Sequence, residues 1–136
     1  MTKEIVAKEV ALVEFDRFAD CMDLDVDTSK LDVEDKVAFE DQKGRIVKAI
    51  MCGSLTINGS GEPEFTPQRS KDAKPIKFPE PTGSALMAMD KRKKNEDMAK
   101  FFATMGDMTG EHPSTFAKMK MADLKVCMAI AILFLG

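Results

Sequence analysis

The residues of this chain best suited to chemistry lie in one acidic stretch, DLDVDTSKLDVE, at residues 23–34. Four of its carboxylates fall at positions 1, 3, 5 and 12 of an EF-hand calcium loop, where hard oxygen ligands are needed: Asp23, Asp25, Asp27 and Glu34. The sixth position normally requires glycine for a sharp turn but is Thr28, and the eighth, normally apolar, is Lys30. An acidic linker whose Asp32 caps the next helix explains the same residues, so both interpretations stay open.

Other residue types that could carry catalysis are sparse. His112 is the only histidine, and no cysteine or second histidine lies near it, which argues against a metal site. Cys21, Cys52 and Cys127 show none of the paired spacings of zinc sites or redox dithiols, and their apolar neighbours predict buried structural thiols. The chain also contains no Gly-rich phosphate loop and no Gly-x-Ser-x-Gly nucleophile motif. We therefore expect no enzyme activity, no metal and no cofactor.

The charge pattern gives no indication of a nucleic-acid partner. The 136 residues carry a formal net charge of −3, and 44% of them are hydrophobic, which is typical of a globular protein. One basic run, Lys91–Lys94, has no interleaved aromatic residues and is interpreted as a solvated turn. The N-terminal segment alternates charges and has no apolar core of signal-peptide length. The expected location is the cytoplasm.

The most apolar segment of the chain is its C-terminal run, residues 126–135, which contains no charged side chain. Ten residues are too few for a membrane span, which needs roughly 20. A helix that is apolar all round is normally buried in its own domain. We expect burial for most of this run, with one face left for a partner.

The first third of the chain predicts two helices. Apolar residues recur every three to four positions over residues 9–22, which indicates an amphipathic helix. Asp32, with Asp35 three places on, predicts the start of a second helix, and Gly53 predicts its end. The expected buried positions of this second helix are Val33, Val37, Phe39, Ile46 and Ile50.

The pattern then changes toward the alternation of strands. Residues 54–58 and 63–67 are predicted to form a β-hairpin around a Gly-Ser-Gly turn, and residues 76–78 a third strand. The polar residues 68–75 between them are predicted to form an exposed, mobile loop.

From Thr82 onward the sequence again predicts helices. Thr82 is expected to cap one helix over residues 84–90, and a second is expected over residues 96–105. Gly106 and Gly110 bracket a predicted break, Pro113 suits the first turn of a further helix, and the last helix is expected to begin near Met121. The predicted fold class is therefore mainly α with a small β-hairpin (α+β). It comprises regions 1–53, 54–80 and 81–136 in one folding unit.

The segment IKFPEPTG, residues 76–83, followed by SALMAMD, resembles the phage tail assembly chaperone family. In that family a strand ends in a turn of the type formed here by Glu80, Pro81, Thr82 and Gly83, and the turn opens a helix. The Met-Thr-Gly at residues 108–110, Pro113 and the apolar C-terminal helix extend the resemblance over about residues 55–135. Pro79 departs from the pattern, because relatives often have a basic or polar residue there.

The resemblance implies a non-catalytic protein of the bacterial host cytoplasm, made during phage assembly or prophage expression. Such a protein binds the tape measure protein and keeps it soluble while tail tube subunits assemble around it. The tail tube protein and a second copy of this chain are further candidate partners, whereas no nucleic acid or membrane is expected. The eleven methionines fit this role, because methionine lines adaptable binding surfaces. The candidate client-binding residues are Met87, Met98, Phe101, Phe102, Phe116, Met128, Ile132 and Phe134.

Two alternatives to the chaperone hypothesis remain at this stage. The first is a structural tail or neck protein that is retained in the virion. The second is an EF-hand-like calcium-binding protein that uses the acidic stretch.

Overall fold

Six helices and three short strands follow one another in the computed structural model, which describes residues 5–69, 73–90 and 97–135. The fold is mainly α with a small antiparallel sheet, which confirms the predicted α+β class. The elements are α1 (Lys8–Cys21), α2 (Val33–Met51), β1 (Leu55–Ile57), β2 (Pro63–Phe65), β3 (Ile76–Lys77), α3 (Gly83–Asp90), α4 (Asp97–Thr109), α5 (Pro113–Ala117) and α6 (Met121–Leu135).

Helix α1 buries the apolar stripe that its sequence predicts. Ala11, Phe15 and Phe18 are fully buried, and the rings of Phe15 and Phe18 meet edge to face at 6.1 Å. At its C-terminal end, Arg17 donates hydrogen bonds to the carbonyl oxygens of Ile57 and Asn58, both at 2.6 Å. These bonds attach the first strand and its turn to α1.

Helix α2 begins and ends where the sequence predicts. The Asp32 carboxylate accepts a hydrogen bond from the backbone N–H of Asp35 at 2.8 Å, which satisfies one of the free donors of the first turn. Gly53, with φ of +81°, follows the helix in the left-handed conformation that terminates helices. Gly44 does not interrupt the helix.

The burial predicted for the first half of α2 is wrong. Val33 is 79% exposed and Val37 57% exposed, whereas Ile46 and Ile50 are buried as expected and Phe39 is half-buried. All side chains at residues 33–38 are exposed, because this half of the helix extends beyond the elements that cover its second half. Two valines therefore lie in solvent on a projecting helical segment.

The three strands form one antiparallel sheet in the order β1-β2-β3. Leu55 pairs with Phe65, which in turn pairs with Ile76, and all three side chains are buried on the inner face. The predicted hairpin and its third strand are confirmed. Residues 70–72 of the predicted loop lie outside the described residues, as does the basic run at residues 91–94.

Helices α3 and α4 pack against each other in opposite directions. The Ser84 hydroxyl donates to the Asp107 carboxylate at 2.7 Å, and the Thr104 hydroxyl donates to the Ala85 carbonyl at 3.4 Å. The start of α3 therefore lies beside the C-terminal part of α4.

The break predicted at Gly106 is wrong, because α4 continues through this residue to Thr109. A Cβ atom at Gly106 would lie 2.7 Å from the carbonyl oxygen of Glu111, so the glycine allows the following loop to approach the helix. Gly110, with φ of +77°, is the residue that ends α4.

Helix α6 is mostly buried, as expected from its composition. Cys127, Ala129, Ile130 and Ala131 have no exposed area. Near its end, the half-buried Phe134 packs edge to face on Phe18 of α1 at 5.4 Å. The helix also packs along α2, and a hydrophobic cluster joins it to buried residues of every described helix and strand.

The start of α6 is held by Asp123, which is 3% exposed. Its two carboxylate oxygens accept hydrogen bonds from the backbone N–H groups of Gln68 and Arg69, at 3.0 and 2.9 Å. Hydrogen bonds to a carboxylate are stronger than those to a neutral acceptor. They fix the segment after β2 to α6.

Replacing this carboxylate is expected to destabilise the fold. In Asp123→Ala, two part-buried backbone hydrogen bonds lose their carboxylate acceptor, so the free energy of unfolding should fall by about 1–3 kcal/mol. Urea unfolding followed by circular dichroism measures the change. The matched control is Asp41→Ala, which removes an exposed carboxylate from α2 and should change stability by less than about 0.5 kcal/mol. Equal unfolding midpoints for the two variants would contradict the assigned role of Asp123.

Candidate protein-binding surfaces

The predicted client-binding residues divide into three groups by exposure. Met87 and Met98 are well exposed, at 63% and 49%. Phe116 is fully buried, because its ring lies on the core side of the short helix α5, and it presents no surface to a partner. The remaining predicted residues are half-buried: Phe101, Phe102, Met128, Ile132 and Phe134.

The two exposed methionines belong to the α3–α4 hairpin. Leu86, which the sequence analysis did not select, is 56% exposed beside Met87 on α3. On α4, the half-buried Phe101 follows Met98 by three residues, a spacing that places both on neighbouring parts of the helix surface. We call Leu86, Met87 and Met98 the hairpin surface.

The family-like turn lies at the start of this hairpin. Glu80, Thr82 and Gly83 are exposed, and Pro81 is half-buried. The Thr82 hydroxyl accepts a hydrogen bond from the backbone N–H of Ser84 at 3.3 Å, as expected for a residue that caps a helix. Ser84, the residue that follows the turn, also donates to Asp107 of α4, so the start of α3 is held against α4.

A second surface is a groove of about 480 Å³ between the segment after α1, one face of α2 and the end of α6. Its apolar lining includes Phe15, Leu24, Phe39, Ile132 and Leu133. Its acidic lining consists of Asp25, Asp27 and Asp35. We call this feature the acidic groove. Ile132, one of the predicted client-binding residues, therefore lines the same groove as the acidic stretch.

The geometry of the acidic stretch is that of a linker with local turns. The Asp25 carboxylate accepts from the backbone N–H of Asp27, and the Asp27 carboxylate accepts from that of Ser29, both at 3.0 Å. Hydrogen bonds from Ser29 lower the pKa of Asp27, so its carboxylate is charged at neutral pH. No group of three or more metal-ligating side chains occurs within the described residues.

His112 serves as a helix cap. Its Nδ1 accepts a hydrogen bond from the backbone N–H of Ser114 at 3.1 Å at the start of α5. Asp107 and Glu111 line the same shallow depression, but the Asp107 carboxylate already accepts from Ser84. The His112 and Asp107 side chains thus make hydrogen bonds that hold the starts of α5 and α3.

The cysteines differ in exposure, and the prediction that all three are buried is wrong for Cys21. Cys21 is exposed because it occupies the last position of α1, outside the buried stripe, while Cys52 is half-buried and Cys127 is buried. The Cys127 thiol donates to the Met119 sulfur at 3.7 Å. Burial, with a smaller contribution from the nearby Asp123 charge, raises the pKa of Cys127 to about 12.

Comparisons with protein-family models, with curated proteins and with solved structures return no match to this chain. Across the described part of the chain, every helix is too short or too polar to span a bilayer.

The reactivity of the thiols tests how α6 is packed around Cys127. At pH 8, a thiol with a pKa near 12 is ionised in roughly one molecule in ten thousand, so Cys127 should resist alkylation by iodoacetamide. Cys21 should react first, and Cys52 more slowly, as measured by mass spectrometry of peptides over time. All three should react together in denaturant. Modification of Cys127 at the rate of Cys21 in the folded protein would show that α6 is not packed as described.

Proposed function

We propose that this protein is a phage tail assembly chaperone that binds the tape measure protein and keeps it soluble while tail tube subunits assemble around it. The proposed activity is protein binding without catalysis, in the cytoplasm of the bacterial host. The observation that carries the proposal is the hairpin surface. It exposes three large, flexible apolar side chains on the helices that follow the family-like turn.

Exposed apolar area of this kind suits a partner that is itself apolar and variable. Covering a leucine or methionine side chain contributes about 1.5–3 kcal/mol, so exposed side chains of this kind on both helices can contribute to holding a client segment. Methionine adds adaptability, because its unbranched chain can repack against different surfaces along a long client. A chaperone must bind many such segments reversibly.

Half-buried aromatic residues hold one helix of the hairpin surface against the core. Phe101 and Phe102 of α4 pack against the hydrophobic core on one side, and so hold the helix that carries Met98. Met128 and Phe134 of α6 also pack against this core. Deleting α6 would unfold the protein, and so substitutions of exposed residues give the cleaner test. The tail tube protein and a second copy of this chain are further proposed partners.

The proposal predicts that charges on the hairpin surface abolish client protection. In Met87→Glu/Met98→Glu, two carboxylates replace apolar contacts, so the soluble fraction of the co-expressed tape measure protein from the same genome should fall about tenfold or more. The matched control is Met121→Glu, which alters another exposed methionine, at the start of α6. Soluble and pelleted tape measure protein are compared by quantitative immunoblot.

Circular dichroism establishes that both variants keep the helical content of the parent protein. Full protection by the folded double variant would contradict the hairpin surface as the client site. Absence of protection by the parent protein would contradict the proposed function itself.

Mass spectrometry of purified phage particles separates the chaperone from a structural tail or neck protein. A chaperone leaves before maturation, so its peptides should be absent from particles that contain the tape measure and tube proteins. Recovery of the protein in fixed stoichiometry would favour the structural alternative.

A further inference from the structure

The acidic groove is a second surface that the hairpin surface does not explain. Residues 23–35 form one wall of the acidic groove and include the first turn of α2. They contain six acidic side chains and one lysine. Three of these carboxylates line the groove itself, at Asp25, Asp27 and Asp35. Carboxylates held along the edge of an apolar depression repel one another, and a cation from outside relieves this repulsion.

The interior of the groove is apolar. Phe39 of α2, Ile132 of α6 and Phe15 of α1 all contribute to its lining. Leu31, at its edge, is 42% exposed. On α2, the Lys43 ammonium lies 5.3 Å from the centre of the Phe15 ring. An apolar side chain entering the groove would lose water contact on several sides.

We infer that the acidic groove binds an amphipathic helix of a partner protein, whose apolar ridge is flanked by lysine or arginine residues. The ridge enters between Phe39 and Ile132, and the basic side chains meet Asp25, Asp27 and Asp35. This inference goes beyond the proposed function, because it concerns a different surface and holds for any client with such a helix.

The chemistry of the groove selects this occupant over others. Its negative charge disfavours nucleic acid and anionic lipid. The groove walls consist of helices and a linker, so strand addition to a sheet edge is not available there. An apolar ridge with residues spaced at i, i+3, i+4 and i+7 is the common way for a helix to fill a groove between helices.

The test uses a fluorescein-labelled, alanine-based helical peptide with leucines at i, i+3, i+4 and i+7 and lysines on both flanks. Fluorescence anisotropy with the full chain should show saturable binding at low salt that weakens as salt is raised. A peptide in which glutamate replaces every lysine should bind at least tenfold more weakly. Absence of binding of the lysine peptide at millimolar protein, or equal binding of both peptides, would overturn the inference.

Charge removal locates the binding site. Asp25→Asn/Asp27→Asn/Asp35→Asn keeps an oxygen acceptor at each position, so the local turns at Asp25 and Asp27 are retained. Affinity for the lysine peptide should fall roughly threefold to tenfold, and most of its salt dependence should disappear. The control Glu40→Gln/Asp41→Asn removes exposed charges from the same helix and should change affinity less than twofold.

Filling the groove tests the apolar part. Ala38 is exposed and lines the groove, so Ala38→Trp should obstruct it and lower affinity at least tenfold, whereas Ala117→Trp on α5 should have no effect. Loss of peptide binding in Met87→Glu/Met98→Glu, with normal binding by the groove variants, would instead assign the peptide to the hairpin surface. The tape measure solubility assay is scored separately, so the two proposals can fail independently.

Discussion

The arrangement of this protein depends on the need to cover one apolar helix. Helix α6 has no charged side chain after Lys125, and its middle residues are buried where it packs along α2, while Phe134 near its end contacts Phe18 of α1. Its first turn is held by the Asp123 carboxylate, which accepts two backbone hydrogen bonds from the segment after β2. Because the middle of α6 is buried, its C-terminal part reaches the surface only through half-buried residues such as Ile132 and Leu133, which line the acidic groove.

The hairpin surface and the acidic groove differ in character. The hairpin surface consists of uncharged, flexible side chains, so binding there would rely on area and adaptability. The acidic groove combines an apolar interior with fixed negative charges, so it can select partners by charge as well as by shape. A protein with both could hold a long client through interchangeable apolar contacts while recognising particular segments of it. This division is our proposal, and its two halves rest on separate residues.

Local signals in the sequence were enough to predict many elements but not their surroundings. The cap at Asp32, the third strand and the burial of α6 follow from nearby residues, and each is confirmed. The exposure of Val33 could not be predicted, because periodicity does not tell which half of a long helix extends beyond the core. Gly106 was misread as a break, since close approach of a loop also requires glycine. The acidic groove depends on Ile132, about a hundred residues away from the aspartates that it faces.

The exposed first turns of α2 have a consequence for motion. Residues 33–38 have little tertiary packing, so their helical hydrogen bonds can open without disturbing the core around Ile46. Such a segment melts and re-forms locally, at a free-energy cost much smaller than that of global unfolding. A ligand seated against Asp35 would hold these turns closed and slow the exchange of their amide hydrogens. The two ends of α2 therefore differ in how firmly tertiary contacts hold them.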